Sequence, residues 1–354
     1  MAPVIRELRS RPDQFETQVC ATAQHRQMLD QVLELFDIVP DVDLDLMRPG
    51  QTPSEVAARV LVSLDPVLQA WQPHWVLVQG DTTTVMAATL SAHYNRVRIG
   101  HVEAGLRSFD RANPFPEEMN RIVADHVSDV HFCPTSRARD NLLREGIPQE
   151  KAYVTGNTVI DALLMMAERD WIPPGSDPLG TLSLQKRTIL VTAHRRENFG
   201  RPLQGICRAL RRLASREDVQ IIYPVHPNPQ VQTPVYEMLE GVSNLLLVPP
   251  VDYQRLVYLL KNSALVLTDS GGIQEEAPSL GVPVLVLRDV TERPEGLDAG
   301  TAKLVGTDPD RIVSEVSRLL DDPTAYDSMA RAINPYGDGC AAQRIATVLW
   351  ELGR

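Results

Sequence analysis

Aromatic residues and cysteines are scarce in this 354-residue sequence. Phe, Trp and Tyr make up 5% of it, and the four cysteines are far apart, with no Cys-x-x-Cys pair: Cys20, Cys133, Cys207 and Cys340. Each cysteine stands beside apolar residues, which predicts reduced thiols in a core rather than a metal site. No other spacing of His, Cys, Asp or Glu indicates metal ligands, so no metal is predicted.

Long apolar runs and cofactor fingerprints are also missing. No run approaches the length needed to cross a bilayer, and the N-terminal sequence MAPVIRELRSRPD lacks the apolar centre of a signal peptide. We therefore expect a cytoplasmic protein that does not enter a membrane. There is no Walker A motif, and the one match to a dinucleotide-binding pattern, at 337–342, follows Asn-Pro-Tyr rather than a strand. No cofactor is therefore expected.

Basic residues are outnumbered by acidic ones. The chain has 35 Lys and Arg against 46 Asp and Glu, a formal net charge of −11. A general nucleic-acid surface needs clustered positive charge, so nucleic acid is not expected as a partner. A small anionic ligand is still compatible with this charge, because local arginines or helix N-termini can hold it inside an acidic protein.

Short apolar runs alternate with longer amphipathic ones along the chain. This pattern predicts an α/β fold with parallel sheets, whose strands include Trp75–Gln79, Val97–His101, Val130–Cys133, Ala152–Thr155, Thr188–Thr192, Ile221–Val225, Leu245–Val248, 264–268 and 282–287. The first helix, VIRELRS, has no strand before it, and FETQVCAT is predicted to be the next strand. Because 169–187 is rich in Pro and Gly, we predict an N-terminal domain of residues 1–168, joined by a C-terminal helix in 337–354, and a second domain of residues 169–336.

Polar side chains follow the predicted strands of the N-terminal half, where open parallel sheets bind ligands. Asp81 follows one strand, Glu103 follows the next, and Glu117 and Glu118 begin a helix after Pro116. Each has a structural alternative: a helix cap for Asp81, a solvated turn for Glu103, and complementation of the helix dipole for the two glutamates. Together they would place several carboxylates at one sheet edge.

Two turns of the C-terminal half carry histidines. The turn AHRRENFG places His194, with two arginines and a glutamate, directly behind a buried strand. That is more charge than a turn requires, so a functional role is favoured. His226 follows the next strand, and a structural role is its alternative.

The apolar run LVLT ends in Asp-Ser-Gly-Gly at 269–272, just before a helix. Such a turn presents backbone N–H groups to an anion. Glu276 lies one turn into the helix, where it could complement the dipole or accept hydrogen bonds from sugar hydroxyls. Arg288 and Arg293 follow the next strand and could neutralise a diphosphate. These residues predict a ligand with an anionic part and a polyhydroxyl part.

Eight motifs occur in this order along the chain: GDTTT, HVEAGLRS, PFPEEMNR, TGNTVIDALL, TAHRREN, YPVHPNP, LTDSGGIQEEAPSLGVPVLVLRDVTERPE and NPYGDG. Together they resemble the bacterial non-hydrolysing UDP-N-acetylglucosamine 2-epimerases over essentially the whole chain. The resemblance implies two Rossmann-like domains in a GT-B arrangement, with the active site in the cleft between them. It implies interconversion of UDP-N-acetylglucosamine and UDP-N-acetylmannosamine, through elimination of UDP to 2-acetamidoglucal and its re-addition, without a redox cofactor.

The same resemblance implies roles for individual residues. The acid–base candidates are Asp81, Glu103 and Glu117, with His194 as a diphosphate contact or acid. Which carboxylate takes the C2 proton stays open. The positions that hold UDP are Ser270, Gly271, Gly272, Glu276 and Arg293. Where relatives often have Gln and an aromatic residue near the uracil, this chain has Val251 and Leu256.

The resemblance also implies a second ligand and a partner subunit. The family binds a second UDP-N-acetylglucosamine as an allosteric effector beside the active site. Candidate residues for that effector site lie in the matching motifs and are Gln24, Gln27, Arg196 and His226. A homodimer is expected.

The N-terminus departs from the family. Relatives begin with a strand and a Gly-Thr-Arg-Pro-Glu turn just upstream of the segment that matches MAPVIREL. The arginine of that turn and a following lysine normally help to bind the substrate diphosphate. We therefore expect this chain to start late, and to be less soluble, lower-melting and nearly inactive unless it is extended upstream.

Three other functions compete with this interpretation. A hydrolysing 2-epimerase would release UDP and free N-acetylmannosamine. A GT-B glycosyltransferase would use the same cleft with an acceptor, but it would not need this set of carboxylates. A non-catalytic nucleotide-sugar binder is suggested by the missing arginine turn.

Overall fold

A computed structural model of the chain describes residues 1–22, 26–46, 48–183 and 185–353. The chain divides into two compact units, which we call unit 1 (Met1–Ala162 with Gly337–Arg354) and unit 2 (Leu163–Tyr336). The division falls inside helix α7, Thr158–Ala167. The boundary predicted at 168 and 169 lies six residues further on, because the composition changes only where this helix ends.

Unit 1 is built from helices and parallel strands. Its strands β1 to β6 are Cys20–Ala21, Val42–Asp43, Trp75–Gln79, Arg98–Val102, Val130–Cys133 and Ala152–Val154. Its helices α1 to α6 are Ala2–Arg9, Arg26–Leu35, Pro53–Trp71, Thr83–Tyr94, Glu117–Val127 and Ser136–Arg144, and α15 is Ala341–Gly353. The main sheet has the order β3-β4-β5-β6, and β1 pairs with β2 in a separate parallel ladder.

The N-terminal segment forms less strand than its sequence predicts. In FETQVCAT the ladder is limited to Cys20 paired with Val42 and Ala21 paired with Asp43. Val19 instead donates its backbone N–H to the side chain of Asp41, at 2.7 Å. The Val19 carbonyl oxygen still accepts from the backbone N–H groups of Asp41 and Val42, but the regular ladder does not extend before Cys20, so the predicted strand is wrong beyond two residues.

Unit 2 contains a second parallel sheet. Its strands β7 to β12 are Arg187–Thr192, Val219–Pro224, Leu245–Val248, Leu265–Thr268, Val284–Val286 and Ala302–Leu304. Its helices α8 to α14 are Arg201–Leu213, Pro229–Leu239, Tyr253–Lys261, Gly271–Glu276, Pro294–Asp298, Pro309–Asp321 and Pro323–Ala330. The strand order is β12-β11-β10-β7-β8-β9. The chain therefore runs outward from β7 to β9 and then returns to the other side of β7, which makes β7 and β10 the topological switch point.

Apolar side chains explain why these strands are central. Every residue of β10 is buried, and alternate residues of β7, β8 and β10 pack with buried residues of α8, α9 and α13 in one cluster. Parallel strands covered on both faces are expected to be continuously apolar. Polar side chains are therefore displaced to the strand ends, where a ligand can reach them.

The C-terminal helix packs within unit 1. Ile345, Ala346 and Leu349 of α15 share a buried cluster with Val4 and Leu8 of α1. Among the helices that the structure describes, we find none with the length and apolarity needed to span a membrane.

Candidate functional site

Asp81 lies at the end of β3, in the turn before α4. The helix cap is supplied by its neighbour, because Thr82 Oγ1 accepts a hydrogen bond from the backbone N–H of Val85 at 3.3 Å. The Asp81 carboxylate instead pairs with Arg121, with 2.6 Å between Oδ2 and Nη2. Asn120 also donates to the Asp81 carbonyl oxygen at 3.0 Å. Two residues near the N-terminus of α5 thus fix Asp81, and the capping alternative is wrong.

Glu103 lies at the end of the neighbouring strand, β4. Its backbone is left-handed, with φ of +66°, a conformation that is uncommon for residues other than glycine. Gln79 Nε2 donates to Glu103 Oε2 at 3.4 Å, and the same oxygen lies 3.8 Å from where a Cβ on Gly80 would be. Glu103 is therefore held against the end of β3 rather than in a freely solvated turn.

Glu117 and Glu118 are adjacent carboxylates with different surroundings. Glu118 accepts hydrogen bonds from the backbone N–H groups of Ser108 at 3.0 Å and Phe109 at 2.9 Å, so it fixes the preceding loop. Oε2 of Glu117 is buried and has no hydrogen-bond partner in the part of the chain that the structure describes. An unpaired buried oxygen costs free energy, so a proton or a hydrogen-bond donor reaching this oxygen would be favourable.

A buried charge network lies behind these carboxylates. His101 contacts Asp125 Oδ1 through Nδ1 at 2.6 Å and the Gly80 carbonyl through Nε2 at 2.8 Å. Both partners are acceptors, so both ring nitrogens donate and the imidazole is charged. Arg107 lies 2.7 Å from the other oxygen of Asp125 and also pairs with Glu145 at 2.6 Å. The network fixes the ends of β3 and β4, from which Asp81 and Glu103 project.

A glycine accounts for the tight turn of HVEAGLRS. Gly105 has φ of +83°, and a Cβ at this position would lie 2.2 Å from the Ala138 carbonyl oxygen. Its N–H donates to Asp125 at 3.2 Å. The motif therefore serves mainly the buried network, and Glu103 is the carboxylate in it that faces the end of β3.

The switch point of unit 2 carries His194. This residue follows β7, and its backbone N–H donates to Asp269, which follows β10, at 2.8 Å. The His194 ring stacks on that of His226, with ring centres 5.4 Å apart and planes inclined by 12°. His226 is itself held by a hydrogen bond from the backbone N–H of Asn228 to its Nδ1, at 3.1 Å. Two histidines from neighbouring strand ends thus lie face to face.

An anion-binding arrangement follows β10. Ser270 precedes α11, but its side chain makes no capping hydrogen bond with the described residues. The Ser270 hydroxyl therefore does not satisfy the backbone N–H groups of Gly271 and Gly272. A Cβ on Gly271 would lie 3.8 Å from Arg195 Nη2 and equally far from the guanidinium carbon of Arg293. Backbone N–H groups beside two guanidinium groups suit a phosphate.

Glu292 lies within the same arrangement. Its Oε1 is 3.0 Å from Arg195 Nη2 and 3.4 Å from where a Cβ on Gly271 would be. Arg288 lies 2.5 Å from its other oxygen and also pairs with Glu197. Arg288 is 8% exposed, so it positions the Glu292 carboxylate. That Arg288 neutralises a diphosphate stays a prediction: like Arg195 with Glu292 and Arg293 with Glu275, it is paired with carboxylates of the protein itself.

Glu276 lies one turn beyond the two glycines and is buried. Tyr253 donates its hydroxyl to Glu276 Oε1 at 2.9 Å, and Oε2 lies 3.9 Å from where a Cβ on Gly272 would be. Burial raises the pKa of Glu276 to about 7, with the Tyr253 hydrogen bond opposing the rise and the charge of Glu275 adding to it. The carboxyl group is thus both close to the anion site and able to change charge near neutral pH. Leu256 is half-buried in the first turn of the same helix as Tyr253.

The structure describes only some of the candidate residues for the effector site. Gln24 lies outside the described residues, and Gln27 belongs to α2 with its side chain outside the description. Arg196 is exposed in the turn after β7, and His226 is stacked on His194. His226 and Arg196 therefore belong to the same loop region of unit 2 as the catalytic candidate His194.

Sequence reasoning gave no individual role to four residues of these two regions: Arg121, Arg195, Tyr253 and Asp269. Two had a local signal, because Arg195 adjoins His194 and Asp269 opens the Asp-Ser-Gly-Gly turn. Arg121 and Tyr253 act on partners 40 and 23 residues away. No local pattern reports such a distance, so their contacts emerge only from the fold.

Comparison with known proteins assigns the chain to a family. The family model described as UDP-N-acetylglucosamine 2-epimerase matches residues 6–350. A curated UDP-N-acetylglucosamine 2-epimerase of Yersinia pestis is 53% identical over 99% of this chain and 94% of its own.

Solved structures agree with this assignment. The crystal structure of UDP-GlcNAc 2-epimerase from Neisseria meningitidis, bound to UDP-GlcNAc, is 45% identical with a TM-score of 0.87, over 99% of this chain and 96% of that one. The enzyme of Methanocaldococcus jannaschii, in complex with UDP-GlcNAc and UDP, is 33% identical with a TM-score of 0.76, over 98% and 95%. These matches confirm the predicted fold class. The chain belongs to the UDP-N-acetylglucosamine 2-epimerase family.

Proposed function

We propose that the protein interconverts UDP-N-acetylglucosamine and UDP-N-acetylmannosamine without hydrolysing them. The observation that carries this proposal is the division of chemistry between the two units. In unit 1, Oε2 of Glu117 makes no hydrogen bond with the described residues, and Asp81 and Glu103 lie at the ends of the neighbouring strands β3 and β4. Unit 2 holds backbone N–H groups beside Arg195 and Arg293. The first set suits proton transfer at carbon and the second suits a diphosphate leaving group.

The proposed reaction is an elimination followed by the reverse addition. A base removes the proton from C2 of the sugar, and the electron pair left behind forms the C1=C2 double bond of 2-acetamidoglucal. The bond between C1 and the phosphate oxygen breaks, and UDP departs with the bonding electrons. UDP then adds back to C1 while an acid delivers a proton to the opposite face of C2. No electrons are lost or gained overall, so no redox cofactor is needed.

The candidate residues take roles that suit their surroundings. Asp81, Glu103 and Glu117 are the candidates for the base and the acid at C2. His194 exchanges a proton with the leaving diphosphate or binds it.

UDP binding is assigned to unit 2. The N–H groups of Gly271 and Gly272, with Ser270 and Arg293, would bind the diphosphate, and Glu276 would accept hydrogen bonds from the ribose hydroxyls. The Neisseria and Methanocaldococcus enzymes, whose structures contain UDP-GlcNAc, support this choice of substrate.

Product analysis tests the proposal. The protein is incubated with UDP-N-acetylglucosamine, and proton and phosphorus NMR spectra identify the products. We expect a mixture of the two intact UDP-sugars, reached also from UDP-N-acetylmannosamine. Accumulation of UDP with free N-acetylmannosamine would establish the hydrolysing reaction instead, and tight binding without any product would establish a non-catalytic binder.

We expect the affinity for UDP-N-acetylglucosamine to rise with pH through about 7. The pKa of Glu276 is raised by burial to about 7, so the group is protonated below that pH and ionised above it. An ionised carboxylate is the better acceptor for ribose hydroxyls. If binding requires the ionised form, linkage limits the gain to about tenfold between pH 6 and pH 8.

The matched control is Glu276→Gln, which has the same shape and no titration. Dissociation constants measured by calorimetry across this pH range should be nearly constant in the variant. Equal slopes in the two proteins would exclude Glu276 as the titrating group.

A further inference from the structure

Asp269 is a buried carboxylate whose two oxygens have different surroundings. Oδ2 accepts hydrogen bonds from the backbone N–H groups of His194 and Arg195, each at 2.8 Å, and from Asn198 Nδ2 at 2.9 Å. Oδ1 is buried and has no hydrogen-bond partner among the described residues. The three donors to Oδ2 explain how the side chain is fixed. Oδ1 contributes no hydrogen bond with the described residues to this arrangement.

The imidazole of His194 lies beside that second oxygen. Its Nδ1 is 3.6 Å from Asp269 Oδ1, slightly too far for a hydrogen bond. Hydrogen bonds of reacting groups are often long in ligand-free proteins and shorten in the complex. The ring is 39% exposed and stacked on His226, so it can move within its own plane toward Asp269.

We propose that Asp269 is a positioning residue for His194: its Oδ1 accepts a hydrogen bond from Nδ1–H and leaves Nε2 to exchange a proton with the ligand. This inference rests on the proposed function, because proton exchange at Nε2 has a task only beside a leaving diphosphate. Pairing with Nδ1–H also gives a partner to an oxygen whose burial otherwise costs free energy.

The groups around His194 determine its charge. Burial lowers the pKa of His194, the charge of Asp269 raises it, and the charges of His226 and Arg195 lower it. The net pKa lies below the ordinary value, so the ring is neutral at and above neutral pH. A neutral ring carries one hydrogen, and the acceptor at Asp269 determines which nitrogen holds it.

Asp269→Asn tests this assignment with a minimal change. The amide oxygen can take the place of Oδ2 and accept from the same three donors. The NH₂ group then stands where Oδ1 stood and donates toward Nδ1 of His194 instead of accepting from it. The hydrogen of the neutral imidazole should therefore move from Nδ1 to Nε2.

Long-range proton–nitrogen NMR spectra of protein labelled with ¹⁵N-histidine show directly which nitrogen of the His194 imidazole carries the hydrogen. The His194 signals are assigned by their absence from His194→Gln. We expect Nδ1–H in the unchanged protein, and Nε2–H with a lower pKa of His194 in Asp269→Asn. Asn198→Ala is the matched control: it removes one donor from Oδ2 and one from the Leu287 carbonyl oxygen but changes no contact of Oδ1, so it should lower the melting temperature and keep Nδ1–H.

Activity supplies the second readout. In Asp269→Asn, kcat should fall by ~10²-fold or more, as for loss of a correctly protonated acid–base group, whereas the affinity for UDP in calorimetry should change little. The same tautomer in both proteins, or a reversed tautomer with kcat unchanged, would overturn the inference.

The tautomer of the unchanged protein is decisive even if Asp269→Asn does not fold, because Nε2–H there would contradict the pairing. The spectra need no substrate. Nδ1–H in a protein without epimerase activity would therefore refute the proposed function and not the pairing itself.

Discussion

Glu117→Gln lowers kcat by ~10²-fold or more, the range expected when a group that transfers a proton is removed. The amide has the same shape but cannot exchange a proton. Because Glu117 Oε2 has no hydrogen-bond partner among the described residues, the substitution removes no hydrogen bond of that oxygen, and the melting temperature should be kept. UDP affinity should also be kept, since the residues assigned to UDP belong to unit 2. We expect similar losses for Asp81→Asn and Glu103→Gln.

The measurements are kcat, melting temperature and UDP affinity for each variant. Glu150→Gln is the control, because it makes the same chemical change at an exposed carboxylate. Rates near that of the unchanged protein in all three variants would show that the acid–base assignment is wrong. A loss of rate that follows a loss of melting temperature would indicate a structural role instead.

Asp125→Asn destabilises unit 1 by about 3–5 kcal/mol, the usual effect of removing one member of a buried ion pair. Its carboxylate contacts His101 and Arg107, and the side chains of all three are 0% exposed. Burial raises the pKa of Asp125, but His101, Arg107 and then His131 lower it to about 2.

Because the pKa of Asp125 is lowered in the folded protein, the stabilisation that this carboxylate provides depends on pH. It is fully present above the ordinary value of 3.8 and is lost as the pH falls toward 2. The variant has no such carboxylate, so the difference in the free energy of unfolding between the two proteins should shrink over that range.

Urea unfolding followed by tryptophan fluorescence measures this effect. Three of the four tryptophans, Trp71, Trp75 and Trp350, belong to unit 1, so the signal reports mainly on that unit. Asp30→Asn is the control, because its partner Arg26 is exposed and such pairs contribute about 1 kcal/mol or less. Equal midpoints for Asp125→Asn and Asp30→Asn would contradict the assigned role of the network.

Local patterns predicted where the sites lie. A short apolar run followed by polar residues marks the end of a buried strand, and Asp81, Glu103 and Ser270 all lie at such ends. These features depend on neighbours in sequence, which is why the sequence alone could predict them.

Roles that depend on distant partners could not be predicted in this way. Glu117 and Glu118 are adjacent, and which of them is used by the loop follows from the position of Ser108 and Phe109 in the fold. Arg288 pairs with Glu197, 91 residues away, a contact that no local pattern in the sequence indicates.

The most direct test of the account is an incubation with UDP-N-acetylglucosamine in heavy water, followed by proton NMR at C2. Elimination gives the C2 proton to a protein base that exchanges with solvent, and re-addition returns a deuteron. The account predicts UDP-N-acetylmannosamine and recovered UDP-N-acetylglucosamine that both carry deuterium at C2. UDP-N-acetylmannosamine formed with its C2 proton retained would contradict it.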